Sequence, residues 1–217
     1  MKKFRVIVLL LFTGLFAKAQ FIDTLQNVIN RKGTFSFSFT SHNSFITNYT
    51  ADIFGFAVGV TFGKKLTIGG GFNSLNSLIT KKKIIDEDTI KENLSFAYFS
   101  YFIQYTKSIT KHWKLYLTPF CIGLGGSSYQ YTYKGVSVTE NSRTVVPFEP
   151  SVEIDYNFNK FIGLYTQVGY RLMLISNPAI PENFNSPIYS YGIALYPFEL
   201  YAAIFPRTKL AHMIEDN

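Results

Sequence analysis

From residue 33 onward apolar and polar side chains alternate one for one. Thr34-Phe35-Ser36-Phe37-Ser38-Phe39-Thr40 sets phenylalanines against hydroxyls. A period of two places alternate side chains on opposite faces of a strand. Residues 52–62 repeat the pattern. Phe54, Phe56, Val58, Val60 and Phe62 share one face, and Gly55, Ala57, Gly59 and Thr61 the other. Residues 66–75 continue it, with Leu66, Ile68 and Phe72 opposed to Thr67, Gly69, Gly71 and Asn73. Five further segments, 94–106, 113–126, 144–156, 161–174 and 187–197, make eight strands in all. In the sixth, Val146, Phe148, Val152, Ile154 and Tyr156 oppose Glu149, Ser151, Glu153 and Asp155. In the seventh, Ile162, Leu164, Val168 and Leu172 oppose Tyr165, Gln167 and Arg171. The fourth and fifth strands are apolar or aromatic on both faces. Pro119, Pro147 and Pro150 fall inside strand segments, where a proline removes a ladder donor, so they mark bulges or strand ends.

The connections alternate in length. Residues 42–51 read as a medium loop and 63–65 as a tight turn. Residues 76–93 form a long charged loop and 107–112 a short one. Residues 127–143 are long, 157–160 short and 175–186 long. Short turns on one side and long loops on the other predict an up-and-down antiparallel barrel. The strand lengths suit the ~9–11 residues with which a tilted strand crosses a bilayer.

The start of the chain has its own pattern. Met1-Lys2-Lys3-Phe4-Arg5 is basic, Val6 to Phe16 is apolar but too short to span a bilayer, and Ala17-Lys18-Ala19 is a small-residue cleavage site. These are the three parts of a secretory signal peptide in order. No cysteine follows the apolar run, so it is not a lipoprotein signal. The predicted organisation is a signal peptide over 1–19, an N-terminal periplasmic segment over 20–32, a barrel over 33–200 and a polar C-terminal tail over 201–217. Cleavage removes four basic residues, taking 21 to 17 against 14 acids, so the formal +7 falls to +3. The basic balance is largely the signal, and no nucleic-acid partner is expected.

Composition agrees. Of 217 residues, 18% are aromatic, which excludes a disordered chain, and 16% are charged, below the roughly 25% of soluble domains. Mean hydropathy is +0.10, too low for a bundle of membrane helices. A single cysteine, Cys121, excludes an internal disulfide and a cysteine-cluster metal site, and reads as a small apolar strand residue. The predicted strands hold few charges: Asp52, Lys114, Glu149, Glu153, Asp155 and Arg171. A soluble sheet shows water a face rich in Lys and Glu. Here the non-aromatic face is Gly, Ala, Ser and Thr, which suits the crowded inside of a narrow barrel. The aromatic face then points to lipid, with Trp113, Tyr and Phe as interface girdles. A sheet in hydrocarbon must close on itself. The fold class is therefore all-β, a single transmembrane barrel of about eight strands.

The signal peptide, the eight alternating strands and the loop rhythm resemble the small bacterial outer-membrane β-barrel proteins over about residues 33–200. The resemblance implies residence in the cell outer membrane, in contact with outer-membrane lipid. It also implies a final strand ending on an aromatic residue. Tyr196, Phe198, Tyr201 and Phe205 are candidates, followed by a polar stretch.

Candidate chemistry centres on Glu149, Glu153, Gln167 and Arg171. A hairpin that pairs Tyr156 with Ile162 sets Glu149 opposite Gly169, with Gln167 and Arg171 as diagonal neighbours on the inner face. The expectation is an interior polar network filling a barrel whose eight strands leave space only for side chains or one small ligand. The same residues would serve a small-solute site. His42 and Ser44 fall in the first outer loop and His112 in a short turn, while His212 sits in the tail. A Ser/His pair at the membrane edge would point to a lipid-modifying enzyme, but hydrolysis needs the serine within reach of the histidine. No spacing here makes a catalytic, cofactor or metal motif. Gly69-Gly70-Gly71 lacks the Lys-Ser/Thr of a phosphate loop.

The loops 76–93 and 127–143 are where a ligand or partner would bind. The reading is a non-enzymatic outer-membrane barrel, structural or surface-binding, with a filled interior and no large pore. Two alternatives stand beside it. An outer-membrane lipid-modifying enzyme requires His42 to approach a serine and a carboxylate at the outer rim. A secreted soluble barrel binding an apolar ligand requires Phe54, Phe56 and Val58 to point inward.

Overall fold

The computed structural model describes residues 28–47 and 49–205. The signal segment 1–19 and residues 206–217 lie outside the described residues, as does most of 20–32. Ten strands form: β1 (Gly33–Ile46), β2 (Tyr49–Phe62), β3 (Leu66–Leu75), β4 (Thr80–Ile85), β5 (Asp88–Ser108), β6 (Trp113–Tyr133), β7 (Val136–Phe148), β8 (Ser151–Asn157), β9 (Ile162–Ile175) and β10 (Ser186–Leu195). A short helix, α1 (Pro197–Ile204), follows and straddles the predicted domain edge at residue 200. Tyr196 therefore stands at the end of the last strand, and Tyr201 lies in the helix.

Every pairing is antiparallel, and the sheet closes as a barrel. The ring holds eight staves. β7 and β8 are one stave broken at Glu149-Pro150, and both pair with β6 and β9. β4 pairs only with the first residues of β5, above the ring. The seam joins β1 to β10 at Asn43 opposite Tyr189 and Ser44 opposite Ile188. The prolines lie where a missing donor is tolerated. Pro119 sits at the β5–β6 register shift, Pro147 at the β7–β9 shift, and Pro150 in the gap between β7 and β8.

Three predicted loops prove shorter. β1 and β2 run to Ile46 and Tyr49, so the 42–51 loop is a turn. Residues 76–93 contain the β4–β5 hairpin, and 127–143 are mostly the ends of β6 and β7. Period two continues through these segments with its polarity reversed. Tyr129 and Tyr131 are buried while Gln130 and Thr132 are exposed. Above the bilayer the polar face turns outward to water, so an inward-apolar strand reads as a loop when an outward-apolar one is expected. Two-residue turns close both hairpins, with positive φ at Asp86 and Glu87 and at Lys134 and Gly135. Such turns match the right-handed twist of the flanking strands.

The face assignment in the ring holds. Phe35, Phe39, Phe54, Phe56, Val58, Ile68, Phe99, Tyr101, Leu124, Leu164, Val168, Tyr191 and Ile193 are all exposed. They form an outer belt that water would not tolerate and hydrocarbon would. The barrel spans a bilayer. Because Phe54, Phe56 and Val58 point outward, a soluble barrel with these residues lining an apolar pocket is not the fold.

The apolar core sits inside one end of the barrel, the end carrying the hairpin arms. Ile46, Ile53, Leu94, Phe96, Tyr98, Tyr129 and Val145 line it. Ile180 and Phe184, from the 176–185 connection, fold down into it as a cap. Phe184 stacks on Phe96 at 4.8 Å. Asn177 fastens the cap, donating to the backbone oxygens of Ser127 at 3.1 Å and Asn141 at 2.6 Å.

Candidate functional site

Below the cap, four staves send polar side chains to one point in the lumen. Arg171 of β9 is fully buried. Its Nε donates to Glu149 Oε1, its Nη1 to Ser44 Oγ at 3.1 Å, and its Nη2 to His42 Nε2 at 3.0 Å. The guanidinium carbon lies 5.3 Å from the centre of the Phe96 ring. Tyr98 of β5 donates its hydroxyl to Glu149 Oε2 at 2.7 Å. Both carboxylate oxygens and three guanidinium nitrogens are thus engaged within a layer walled by β1, β5, β7 and β9. A buried charge without a partner is very costly, and this layer leaves neither charge alone.

The predicted partnership of Glu149 and Arg171 is present, but in a different register. Tyr156 pairs with Leu164, not Ile162. The two-residue slip brings Ser151 opposite Gly169 and Glu153 opposite Gln167. The predicted neighbour of Glu149, Gly169, faces the backbone break at Pro150 instead, where the Tyr170 N–H reaches the Pro150 oxygen. Gln167 is not part of the Glu149–Arg171 layer. It donates to Ser151 Oγ at 3.0 Å and accepts from Ser190 Oγ at 3.1 Å, in a lower layer. Glu153, its cross-strand partner, shares that level and stands beside Asp155, whose Oδ2 accepts from the Tyr196 hydroxyl at 2.8 Å. The four residues share the inner face but fall into two layers, because one turn of the hairpin decides all their heights together.

His42 and Ser44, which the sequence places in an outer loop, are both buried on β1 with side chains facing the lumen. Their alternation with Asn43 and Phe45 is the signal that extends the first strand. His42 does approach a serine and a carboxylate, as a hydrolase would require, with Nε2 3.9 Å from Glu149 Oε1. The connection to Ser44, however, runs through the Arg171 guanidinium, and the group is enclosed in the lumen rather than open to lipid at the rim. Ser44 Oγ accepts a hydrogen bond from an arginine, which cannot act as a base toward it. Among the described residues no cluster of His, Cys, Asp or Glu could hold a metal ion.

A second polar group holds the arms. Lys81 of β4 pairs with Glu182 of the cap connection and donates to Tyr129 Oη at 3.2 Å. The Tyr129 hydroxyl donates to Glu182 as well. Lys83 pairs with Glu140 of β7, which also accepts from Tyr131. The hydrogen bond to Glu182, then that to Tyr129, holds the Lys81 ammonium above its usual range. Burial pushes the Glu182 carboxyl up, but the bonds from Lys81 and Tyr129 outweigh it and leave it below the usual carboxylate range. Lys83, then Tyr131, lowers Glu140 in the same way. The charged 76–93 segment, a long loop by its sequence, therefore contains a braced hairpin. Its opposite face leaves Lys82, Ile84 and Lys91 exposed.

No protein-family model matches the sequence, and neither does any curated protein sequence. Solved structures do match in shape. Ail, the attachment invasion locus protein of Yersinia pestis, crystallised with the heparin analogue sucrose octasulfate, is 12% identical with a TM-score of 0.45, covering 75% of this chain and 96% of that one. Neisserial surface protein A is 12% identical with a TM-score of 0.46, covering 76% and 99%. The N-terminal β-barrel domain of OprF from Pseudomonas aeruginosa is 10% identical with a TM-score of 0.42, covering 75% and 97%. This chain is similar to these small bacterial outer-membrane barrels in plan, and at such identities the likeness carries nothing about role.

Proposed function

We propose that this protein is an integral barrel of the cell outer membrane that displays two braced hairpin arms outward and conducts no large solute. The Glu149–Arg171 layer supports this reading most directly. A buried ion pair satisfied from four staves, beneath a cap of Ile180 and Phe184, closes a lumen that eight strands already make narrow. The barrel is then a rigid base, and recognition falls to the exposed faces of residues 76–93 and 127–143, where loops on scaffolds carry binding. The secretory signal and outer-membrane lipid contact accord with the apolar belt. The role is structural or surface-binding rather than enzymatic.

The test is reconstitution in planar bilayers, with fractionation of the native cells. Recovery in the outer-membrane fraction, a faster unheated band on a gel and the absence of stable conductance steps are expected. A steady open conductance from the wild-type barrel, or recovery in the soluble fraction, refutes the reading.

A further inference from the structure

The opposite end of the barrel, the end with the short turns, holds a polar constellation far from the Glu149–Arg171 layer. An open cavity of about 320 Å³ lies between the 109–112 turn, the 158–161 turn and the end of β10. Lys111, Lys114 and Lys160 line it, with His112, Asn157, Asn159 and Tyr196, and no carboxylate does. None of the three lysines forms an ion pair among the described residues.

The lining is short of acceptors. Asn159 Oδ1 accepts from the N–H groups of Phe161 at 2.8 Å and Ile162 at 3.0 Å. The Asn157 amide lies 2.7 Å from the Tyr196 hydroxyl, whose one proton goes to Asp155 Oδ2. The Asn159 amide is thus left with its Nδ2 donors. His112 donates Nδ1–H to the Asn157 carbonyl at 2.8 Å, which ties the two turns together and leaves Nε2 as an acceptor. Asp155 pairs across strands with Lys114 and offsets its charge, and among the described side chains no acid pairs with Lys111 or Lys160. Three ammonium groups and the Asn159 NH₂ around one cavity fit an oxyanion.

The height of the cavity identifies its source. Trp113, Tyr156 and Phe158 form a ladder beside it, with ring centres 4.8 Å and 5.3 Å apart. Trp113 and Phe158 are exposed. Aromatic rings of this kind sit at headgroup level. We propose that the cavity binds the phosphate oxyanion of an anionic phospholipid in the periplasmic leaflet. The site rests on the membrane reading above, and its test separates the two.

Trp113 is the sole tryptophan of the chain and adjoins two lining residues, so its emission reports on the site. The barrel is placed in nanodiscs containing either brominated phosphatidylglycerol or brominated phosphatidylcholine at equal bromine density. Stronger quenching by the phosphatidylglycerol is expected. Each of Lys111→Gln and Lys160→Gln, on surface turns, is expected to weaken that preference about fivefold. Inorganic phosphate at millimolar concentration, against chloride of equal ionic strength, is expected to relieve it. A phosphate effect on emission without lipid preference supports the oxyanion site and assigns it free phosphate. Equal quenching by both lipids, with no phosphate effect, overturns the site while leaving the membrane barrel intact. No quenching by either lipid overturns both. The shift of the unheated gel band confirms that each variant is folded.

Discussion

Arg171→Met removes one side of the buried pair and tests whether the lumen is as closed as its geometry indicates. Arg171 is fully buried and Glu149 is 6% exposed. The substitution roughly keeps side-chain volume but strips Glu149 of its guanidinium, leaving the Tyr98 hydroxyl at 2.7 Å as its hydrogen-bond donor, with His42 Nε2 3.9 Å away. It also leaves Ser44 and His42 without the donor they share. Removing one partner of a buried pair costs ~3–5 kcal/mol, because the remaining charge stays desolvated. At ~1.4 kcal/mol per factor of ten, the folded-to-unfolded ratio falls by ~10² to 10³ or more. The companion Glu149→Met/Arg171→Met double variant removes both charges. It is expected to recover most of that loss, since an apolar replacement of a whole buried pair is often neutral. The assay is urea unfolding of the refolded barrel in detergent micelles, followed by tryptophan emission and by the unheated gel band. A single-variant loss under ~1 kcal/mol would refute the reasoning, because a charge that loses its partner so cheaply is hydrated. The lumen would then hold water at that height, and the closed-interior reading would fall with it.

Four other outcomes follow from the same structure. Val58→Arg, in the middle of the outward face of β2, is expected to destabilise the barrel in lipid by ~2–4 kcal/mol, and a negligible change in urea unfolding would take that face out of the bilayer. Gly125→Ala is expected to abolish the heat-modifiable band at growth temperature, because a Cβ there would lie 2.0 Å from the Ala97 oxygen and 2.4 Å from Tyr98 Cα, where neither backbone can yield. Exchange protection of the β4–β5 hairpin should be flat between about pH 5 and 10 after correction for intrinsic rates. The lowered Glu182 contributes stability above its ordinary 4.5 that is lost as pH falls through the depressed value, and the raised Lys81 contributes stability below 10.5 that is lost as pH rises through the elevated one. Lys81→Met should speed exchange in β4 while leaving β9 unchanged, and equal acceleration in both would show that the arm is not an independent unit.

The architecture was legible in the alternation of aromatic and small residues taken with the scarcity of charge in the strands. Alternation also suits a soluble barrel, but a non-aromatic face of glycine and hydroxyls without Lys and Glu suits a narrow lumen, and a sheet with its rings in lipid must close. The prolines at 119, 147 and 150 were also legible, since a residue without an N–H belongs at a break in the ladder. The inner acids and Arg171 could be assigned to the lumen because side-chain direction follows from position within a strand.

Register and height could not be assigned in that way. Every shift of two residues keeps the same face inward, so Tyr156 opposite Ile162 and Tyr156 opposite Leu164 are equally good patterns. Only the turn at 158–161, with Asn159 holding the Phe161 and Ile162 amides, selects the second. That choice puts Glu149 level with Arg171 and sends Gln167 and Glu153 together to the layer below. His42 and Ser44 entered the layer for a related reason. They stand far from Arg171 in sequence, and ring closure, joining β1 to β10, brings them to it. Outside the bilayer the pattern inverts, so the sequence of the β4–β5 and β6–β7 arms reads as loops, whereas backbone pairing makes them strands and the ion pairs Lys81–Glu182 and Lys83–Glu140 brace them. Sequence alone determines which side of a strand a residue occupies, since that depends on neighbours one position away. Which residues meet across the lumen depends on turn geometry and closure, which are properties of the whole sheet.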